Sequence, residues 1–270
     1  MPAAPCESPF DGRVVFVLGS RRSGTTWLAE LLLAHPDIAG LEAHEVVPGA
    51  FIPLESAIFG ALADVWKNNW RFDGEGLCSA MSRSEIAVAM RRFCDRLFAG
   101  ARDRVGPGRP WFLEKSPDNA VRLPIMATVF PDAWYVQIVR DGRDMARSLA
   151  RVGFGPDDPA EAAAEWVRDT TLVREHNWLL ERFREVRYEN LLADPTGHVA
   201  ELYRWMGLPV DDEVMTAVEE RASRAVATYG MGTPVGSGKW RELDPPDLDR
   251  LTAVAGDLLA ELGYLDEGAP

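Results

Sequence analysis

The residues best suited to chemistry lie between positions 19 and 27, in GSRRSGTTW. Gly19 follows the apolar run VVFVL, Gly24 opens a helical pattern, and Ser23, Thr25 and Thr26 carry hydroxyls. A strand entering a glycine turn that opens a helix aims the N–H groups of residues 23 to 26 at one point. The helix macrodipole favours negative charge there. Gly19 permits the tight turn, and Gly24 lets backbone approach a ligand closely. Arg22, with Arg21 beside it, offers a planar fork to two oxygens of a phosphate or sulfate. The nucleotide cradle G-x-x-x-x-G-K-[ST] requires lysine after its second glycine, and here that place holds Thr25. A P-loop kinase also needs an acidic residue for magnesium after a later strand, whereas the run Trp134–Val139 ends in Arg140 before Asp141. The loop therefore reads as a cradle for an anion without a metal. The simpler reading is a serine/threonine-rich turn capping an ordinary helix.

A second cluster follows in YVQIVRDGRDMARSLAR. Arg140, Arg143, Arg147 and Arg151 recur at helical spacings of three and four, and Ser148 stands eight residues beyond Arg140. With a helix beginning near Asp141, Arg140 falls at a strand's carboxyl end, where α/β proteins bind ligands. Two other readings remain open. One is a solvated basic face salted with Asp141 and Asp144; the other is the lid arginines of a small-molecule kinase.

The elements that must carry these residues alternate. Apolar runs at Val14–Leu18, Trp111–Leu113, Trp134–Val139 and, more weakly, Arg184–Tyr188 predict buried strands. Helical patterns predict helices at Thr25–Ala34, Arg83–Phe98, Ala160–Phe183, Thr196–Met206, Glu213–Ala227 and Pro246–Leu262. Strands apolar throughout and separated by helices imply an α/β fold, a P-loop-like parallel sheet flanked by helices on both faces. Residues 40–78 mix Pro, Gly and the aromatics Phe51, Phe59, Trp66, Trp70 and Phe72, and read as a helical and aromatic insertion. Residues 228–245 are too glycine-rich for a regular element. Long loops of this kind in α/β proteins usually build the site.

At 270 residues the chain can bury a large core as a single domain with an elaboration. The net charge of −13 argues against general binding to nucleic acid or anionic membranes. An anionic ligand must therefore meet a local cluster of cations. The N-terminal MPAAPCESPFDGR lacks a basic region and a long apolar run, and no run long enough to span a bilayer follows. Cys6, Cys78 and Cys94 match no zinc pattern and fit a reducing compartment. His35, His176 and His198 show no metal-ligand spacing and read as structural. Together these features predict a cytoplasmic protein without a metal site.

Taken in order, the motifs resemble those of the sulfotransferases that use 3′-phosphoadenosine-5′-phosphosulfate (PAPS). In that family a K/R-S-G-T-T-[WL] loop holds the 5′-phosphosulfate, matched by Arg22, Ser23, Gly24, Thr25, Thr26 and Trp27, with Trp27 near adenine. An Arg and a Ser eight positions apart clamp the 3′-phosphate, matched by Arg140 and Ser148. The R-Y-E-[DN]-L-L segment is matched from Arg187 to Leu192, with Tyr188 beside the adenine, and a covering loop is matched by Gly238, Lys239 and Trp240. The resemblance spans roughly residues 13 to 241 and is nearest to the tyrosylprotein and bacterial small-molecule branches. It implies a division into 13–39, the phosphosulfate loop and helix; 40–110, the acceptor-side insertion; 111–206, the 3′-phosphate core; and 207–270, the C-terminal helices and covering loop.

The resemblance implies in-line attack of an acceptor hydroxyl or phenol on the sulfur of PAPS, with no metal. Arg22, helped by Lys115 and Lys239, would stabilise the growing charge. The segment Glu114–Asn119 carries no histidine where the hormone-sulfating enzymes have their base. A base from GLEAHEVVP is implied instead: Glu42 first, with His44 and Glu45 behind it. The aromatic insertion suggests a bulky, partly apolar small-molecule acceptor, and the absent signal argues against a secreted protein substrate. Lys115 reads equally as a surface partner of Glu114 or Asp118, and Trp27 as a core residue. The alternatives are a P-loop kinase using ATP and magnesium, and a non-catalytic nucleotide-binding protein.

Overall fold

The chain enters its sheet through Val14–Leu18 (β1), buried along its whole length. Val14, Phe16 and Leu18 feed one apolar core while Val15 and Val17 feed another, the period-two alternation of a strand with helices on both sides. The computed structural model describes residues 8–41, 44–47, 50–52, 55–70, 76–228 and 236–265. After β1 come Thr25–Leu32 (α1), Ile38–Gly40 (β2), His44–Val47 (β3), Ala50–Ile52 (β4), Ile58–Trp70 (α2), Arg83–Val105 (α3), Trp111–Lys115 (β5) and Leu123–Val129 (α4). Then follow Trp134–Val139 (β6), Gly142–Leu149 (α5), Pro159–His176 (α6), Phe183–Arg187 (β7), Tyr188–Ala193 (α7), Pro195–Met206 (α8), Asp212–Thr228 (α9) and Pro245–Glu261 (α10).

Five strands form one parallel sheet in the order β2-β5-β1-β6-β7, and β3 and β4 pair antiparallel apart from it. β1 lies between β5 and β6, so successive crossovers leave it in opposite directions. The crevice at its carboxyl end is the place where open α/β sheets hold ligands. Register sets Val17 beside Lys115 and Leu18 beside Gln137, so Lys115 and the end of β6 flank the start of the loop at Gly19.

Phe16 packs against Phe59, Phe130 and Tyr135 at ring centroid distances of 5.4, 5.2 and 5.3 Å. Truncating so central a ring to alanine costs about 3–5 kcal/mol. Phe59, from the aromatic insertion, is therefore core, and Trp66 packs against the same cluster. Sequence periodicity missed β2 because three residues carry too little pattern, and α4 because proline and short length disguise it. The expected helix to Phe183 ends at His176, since the chain must pass through the short turn Asn177–Leu179 to reach β7. α3 starts on a capping box: the Ser82 hydroxyl accepts the Glu85 N–H, and the Glu85 carboxylate accepts the Ser82 N–H.

Candidate active site

The loop from Gly19 to Gly24 is built from left-handed backbone. Gly19 has φ 152°, Arg22 φ 66° and Gly24 φ 99°. A methyl on Gly24 would stand 2.7 Å from the ring of Tyr188, and one on Gly19 2.6 Å from the Ile138 carbonyl oxygen. Glycine is required at both places by close approach as well as by φ. Arg22 adopts a conformation that costs an L-residue about 1–2 kcal/mol, and the side chains of Ser148 on α5 and of Arg140 just before that helix hold it there. Its Nε donates to Ser148 Oγ at 3.1 Å, and its carbonyl accepts Arg140 Nη1 at 3.2 Å.

α1 begins at Thr25 after Gly24, which supplies no side-chain cap. The first N–H groups of a helix have no intrahelical acceptor, so they are available to an anion. Ser23 Oγ and Arg140 Nε are buried beside this turn and have no hydrogen-bond partner among the described residues. Trp27 Nε1 is likewise buried and unpartnered there, its ring edge-on to Tyr188 at 5.6 Å. The Tyr188 ring in turn lies under the Arg140 guanidinium at 4.5 Å. Thr25 is buried and Thr26 half-buried, both in the first turn.

Arg21 turns away from the loop, donating to Glu165 on α6 at 2.5 Å. The four arginines read as a helical series also divide. Arg140 reaches the loop, whereas Arg143 is held by Asp141 at 2.7 Å and by the Tyr264 carbonyl at 2.7 Å. Arg147 pairs with Glu242, and Arg151 is exposed. The face is not solvated, because the segment Gly236–Glu242 lies across it. Gly236 O accepts Arg140 Nη2 at 2.8 Å, and Gly236 N donates to the Tyr188 hydroxyl at 3.3 Å. Trp240 stacks under the Arg143 guanidinium at 3.9 Å. Burial, reinforced by Arg140, holds the Arg22 guanidinium below its ordinary pKa. The Lys239 ammonium is lowered by burial and then by Arg140 and Arg147. Cations gathered at an uncapped helix start suit the binding of an anion.

Lys115 occupies the other side of β1. It is buried, and its Nζ donates to Glu55 Oε1 at 2.6 Å rather than to Glu114 or Asp118. Glu114 accepts from Ser56 Oγ at 2.7 Å, Ser116 Oγ at 2.6 Å and Asn119 Nδ2 at 2.5 Å, and full burial pushes its carboxyl pKa up. Ser56 and Glu55 thereby tie the insertion to the carboxyl end of β5. Glu42 lies outside the described residues, and His44 opens β3 with Glu45 next to it. Sequence reasoning passed over Glu55, read Asp144 only as a charge on a solvated face, and gave Glu189 no role of its own. Glu189 accepts the Asp141 N–H at 3.0 Å and so joins the RYENLL segment to the start of α5. Its place directly after Tyr188 was the available signal.

Among the described residues no group of three His, Cys, Asp or Glu side chains stands together as a metal site. His35 Nδ1 accepts the Asp37 N–H at 3.1 Å, which leaves Nε2 to donate to the Pro209 carbonyl at 3.0 Å, so both ring nitrogens are held by backbone groups. Cys94 is buried, its thiol pushed up to about 12 by burial. Among the described residues no helix is long and apolar enough to cross a membrane.

Among solved structures, the sulfotransferase domain of the Synechococcus PCC 7002 olefin synthase is 18% identical with a TM-score of 0.55, covering 90% of this chain and 94% of that one. A mouse sulfotransferase, SULT7A1 complexed with PAP, is 15% identical with a TM-score of 0.55, covering 97% and 92%. At such identity these show the shared fold. Among curated relatives, protein-tyrosine sulfotransferase 1 of Danio rerio is 24% identical over 278 residues, spanning 94% of this chain and 73% of the relative. The mouse protein of the same name is 26% identical over 279 residues, spanning 94% and 70%. The family model described as "Sulfotransferase family" matches residues 14–212, from β1 to the start of α9. The chain belongs to the sulfotransferase family.

Proposed function

We propose that this sulfotransferase moves the sulfuryl group of PAPS to a hydroxyl or phenol oxygen of its acceptor. The observation that carries the reading is the convergence of Arg22, Arg140 and Ser148 beside an uncapped helix start that lacks the kinase lysine. The residues fit the donor: the buried Ser23 hydroxyl and Arg140 Nε have no partner among the described residues.

PAPS supplies, when bound, a sulfuryl group on a phosphate leaving group. The first turn of α1, with Ser23, Thr25 and Thr26, would hold its 5′ side. Arg140, Ser148 and Lys239 would hold the 3′-phosphate, with Tyr188 and Trp27 bounding the base and Trp240 covering the loop. Arg22 and Lys115 stand on the two flanks of the β1 end and would offset charge on the sulfuryl and leaving oxygens. Oriented donors of this kind in a dry site are worth about 3–4 kcal/mol each. A base on the acceptor side takes the acceptor's proton, and the resemblance favours Glu42, then His44 and Glu45. For the acceptor, the aromatic composition of the insertion supports a small molecule bearing an alcohol or phenol. The names of the curated relatives support a second reading, a tyrosine of a protein, with the same phenolic oxygen.

The test is turnover of PAPS with small alcohols, small phenols and tyrosine peptides, read as sulfated product by mass spectrometry. Product is expected from the phenol or alcohol set. Sulfation of peptides alone would transfer the assignment to a protein substrate, and no product from any acceptor would refute sulfuryl transfer.

A further inference from the structure

Asp144 sits in the first turn of α5, its side chain wholly enclosed. The neighbours that enclose it belong to the segment Gly236–Glu242. Asp144 Oδ2 accepts the Gly238 N–H at 2.6 Å, and Oδ1 accepts the Trp240 N–H at 2.7 Å. Both oxygens of one buried carboxylate are thus spent on the backbone either side of Lys239. Charge-assisted bonds of this length are among the stronger ones available to a protein. Gly238, at φ +77°, gives the left-handed turn that brings its N–H and that of Trp240 to the same carboxylate. Lys239 between them is left with one direction. Its Nζ folds back to within 3.9 Å of where a Cβ on Gly236 would stand, and the Gly236 carbonyl is already on Arg140.

We propose that Asp144 is a positioning residue for the anionic donor: by gripping the backbone at Gly238 and Trp240 it delivers the Lys239 ammonium to the anion-binding cluster around Arg140. This assignment rests on the reading of that cluster as the 3′-phosphate site. A carboxylate beside an anion site is otherwise a liability, since it repels the ligand. Here its charge lies 3.8 Å from Arg140 and is shared with two N–H donors, so it organises cations without facing the ligand. The acidic residue occurs on the basic face because the covering segment needs a fastening point there.

The proposal is tested by a double-mutant cycle, with affinity for adenosine-3′,5′-bisphosphate measured by calorimetry. In the wild-type background Lys239→Ala should weaken binding about ten- to a hundredfold, the worth of one charge-assisted hydrogen bond. In the Asp144→Asn background the same change should cost less than about threefold, because the lysine is no longer delivered. Equal losses in both backgrounds would overturn the proposal, since a plain charge or folding effect of Asp144 adds to that of Lys239. Amide exchange without any ligand gives a second readout. The Gly238 and Trp240 amides should be protected in the wild type, and at least one of them should exchange faster in Asp144→Asn, whose amide keeps only one acceptor oxygen; unchanged protection of both would overturn the grip. Should Asp144→Asn fail to fold, Gly238→Ala strains the same segment, because its Cβ meets Arg241 at 2.6 Å with the backbone at φ +77°, and should likewise abolish the Lys239 effect. A retained effect there would contradict the proposal. Should the wild type ignore the bisphosphate altogether, the cofactor reading fails, while the amide exchange still decides whether Asp144 holds the segment.

Discussion

Arg22 Nε donates to Ser148 Oγ at 3.1 Å across 126 positions of sequence, joining the loop after β1 to the last turn of α5. The two clusters that read as separate anion sites are therefore one continuous surface, with the Arg22 carbonyl also on Arg140. A nucleotide carrying phosphates at both ends of its ribose would meet both at once.

Arg140→Ala is expected to weaken adenosine-3′,5′-bisphosphate by about ten- to a hundredfold, one charge-assisted hydrogen bond. The loss for adenosine 5′-phosphate should be far smaller. Calorimetric titration of both ligands checks this, and equal losses would show that Arg140 does not read the 3′-phosphate.

Gly24→Ala should damage both fold and site. Its Cβ would meet the Tyr188 ring at 2.7 Å with the backbone at φ 99°, so neither relaxation nor rotation clears the clash. A loss of about 1–3 kcal/mol in urea unfolding is expected, together with loss of bisphosphate binding. An unchanged urea midpoint would mean that the loop is looser than its contacts imply.

Lys115→Ala should separate chemistry from binding. Its partner Glu55 keeps 32% of its side chain exposed, so the unpaired carboxylate can be solvated and stability should fall little. The kcat should fall about a hundredfold or more, with bisphosphate affinity within a few-fold of wild type. If affinity collapses while kcat holds, Lys115 belongs to ground-state binding.

Glu114 supplies a pH signature. Burial raises its folded-state pKa above the ordinary value of 4.5, so the folded protein holds that proton more tightly than the unfolded chain does. Stability from this group is therefore greatest below the ordinary carboxylate range, and declines as pH rises towards the folded pKa. Glu114→Gln should flatten that component of the slope in urea unfolding measured between about pH 4 and pH 8. An identical slope in wild type and variant would place the titration elsewhere.

Much of this was legible in advance where the physics is local. VVFVL announces a doubly covered strand because every residue is apolar, and GSRRSGTTW announces a cradle because its glycines fall at a strand-to-helix turn. What the sequence could not show is set by long-range partners. Phe59 stands in a mixed segment whose pattern does not say which aromatics pack and which line a site, and the ring of Phe16 claims it for the core at 5.4 Å. Asp144 looks like a solvated charge until the segment near Gly238 closes over it. Lys115 reads equally as a site cation and as a partner of its chain neighbours, but the strand turns alternate side chains to opposite faces, and Glu55 arrives from the insertion. Glu42 lies outside the described residues, so its place as base rests on the resemblance alone.

The central claim, that this cradle takes a 3′-phosphorylated adenosine nucleotide in place of ATP and magnesium, is most directly tested by calorimetric titration. Adenosine-3′,5′-bisphosphate without metal should bind and raise the melting temperature through mass action. ATP with magnesium should bind far more weakly, because Thr25 stands where the kinase lysine is needed and Arg140 where the magnesium carboxylate would follow. Tight binding of ATP–magnesium with none of the bisphosphate would contradict the account.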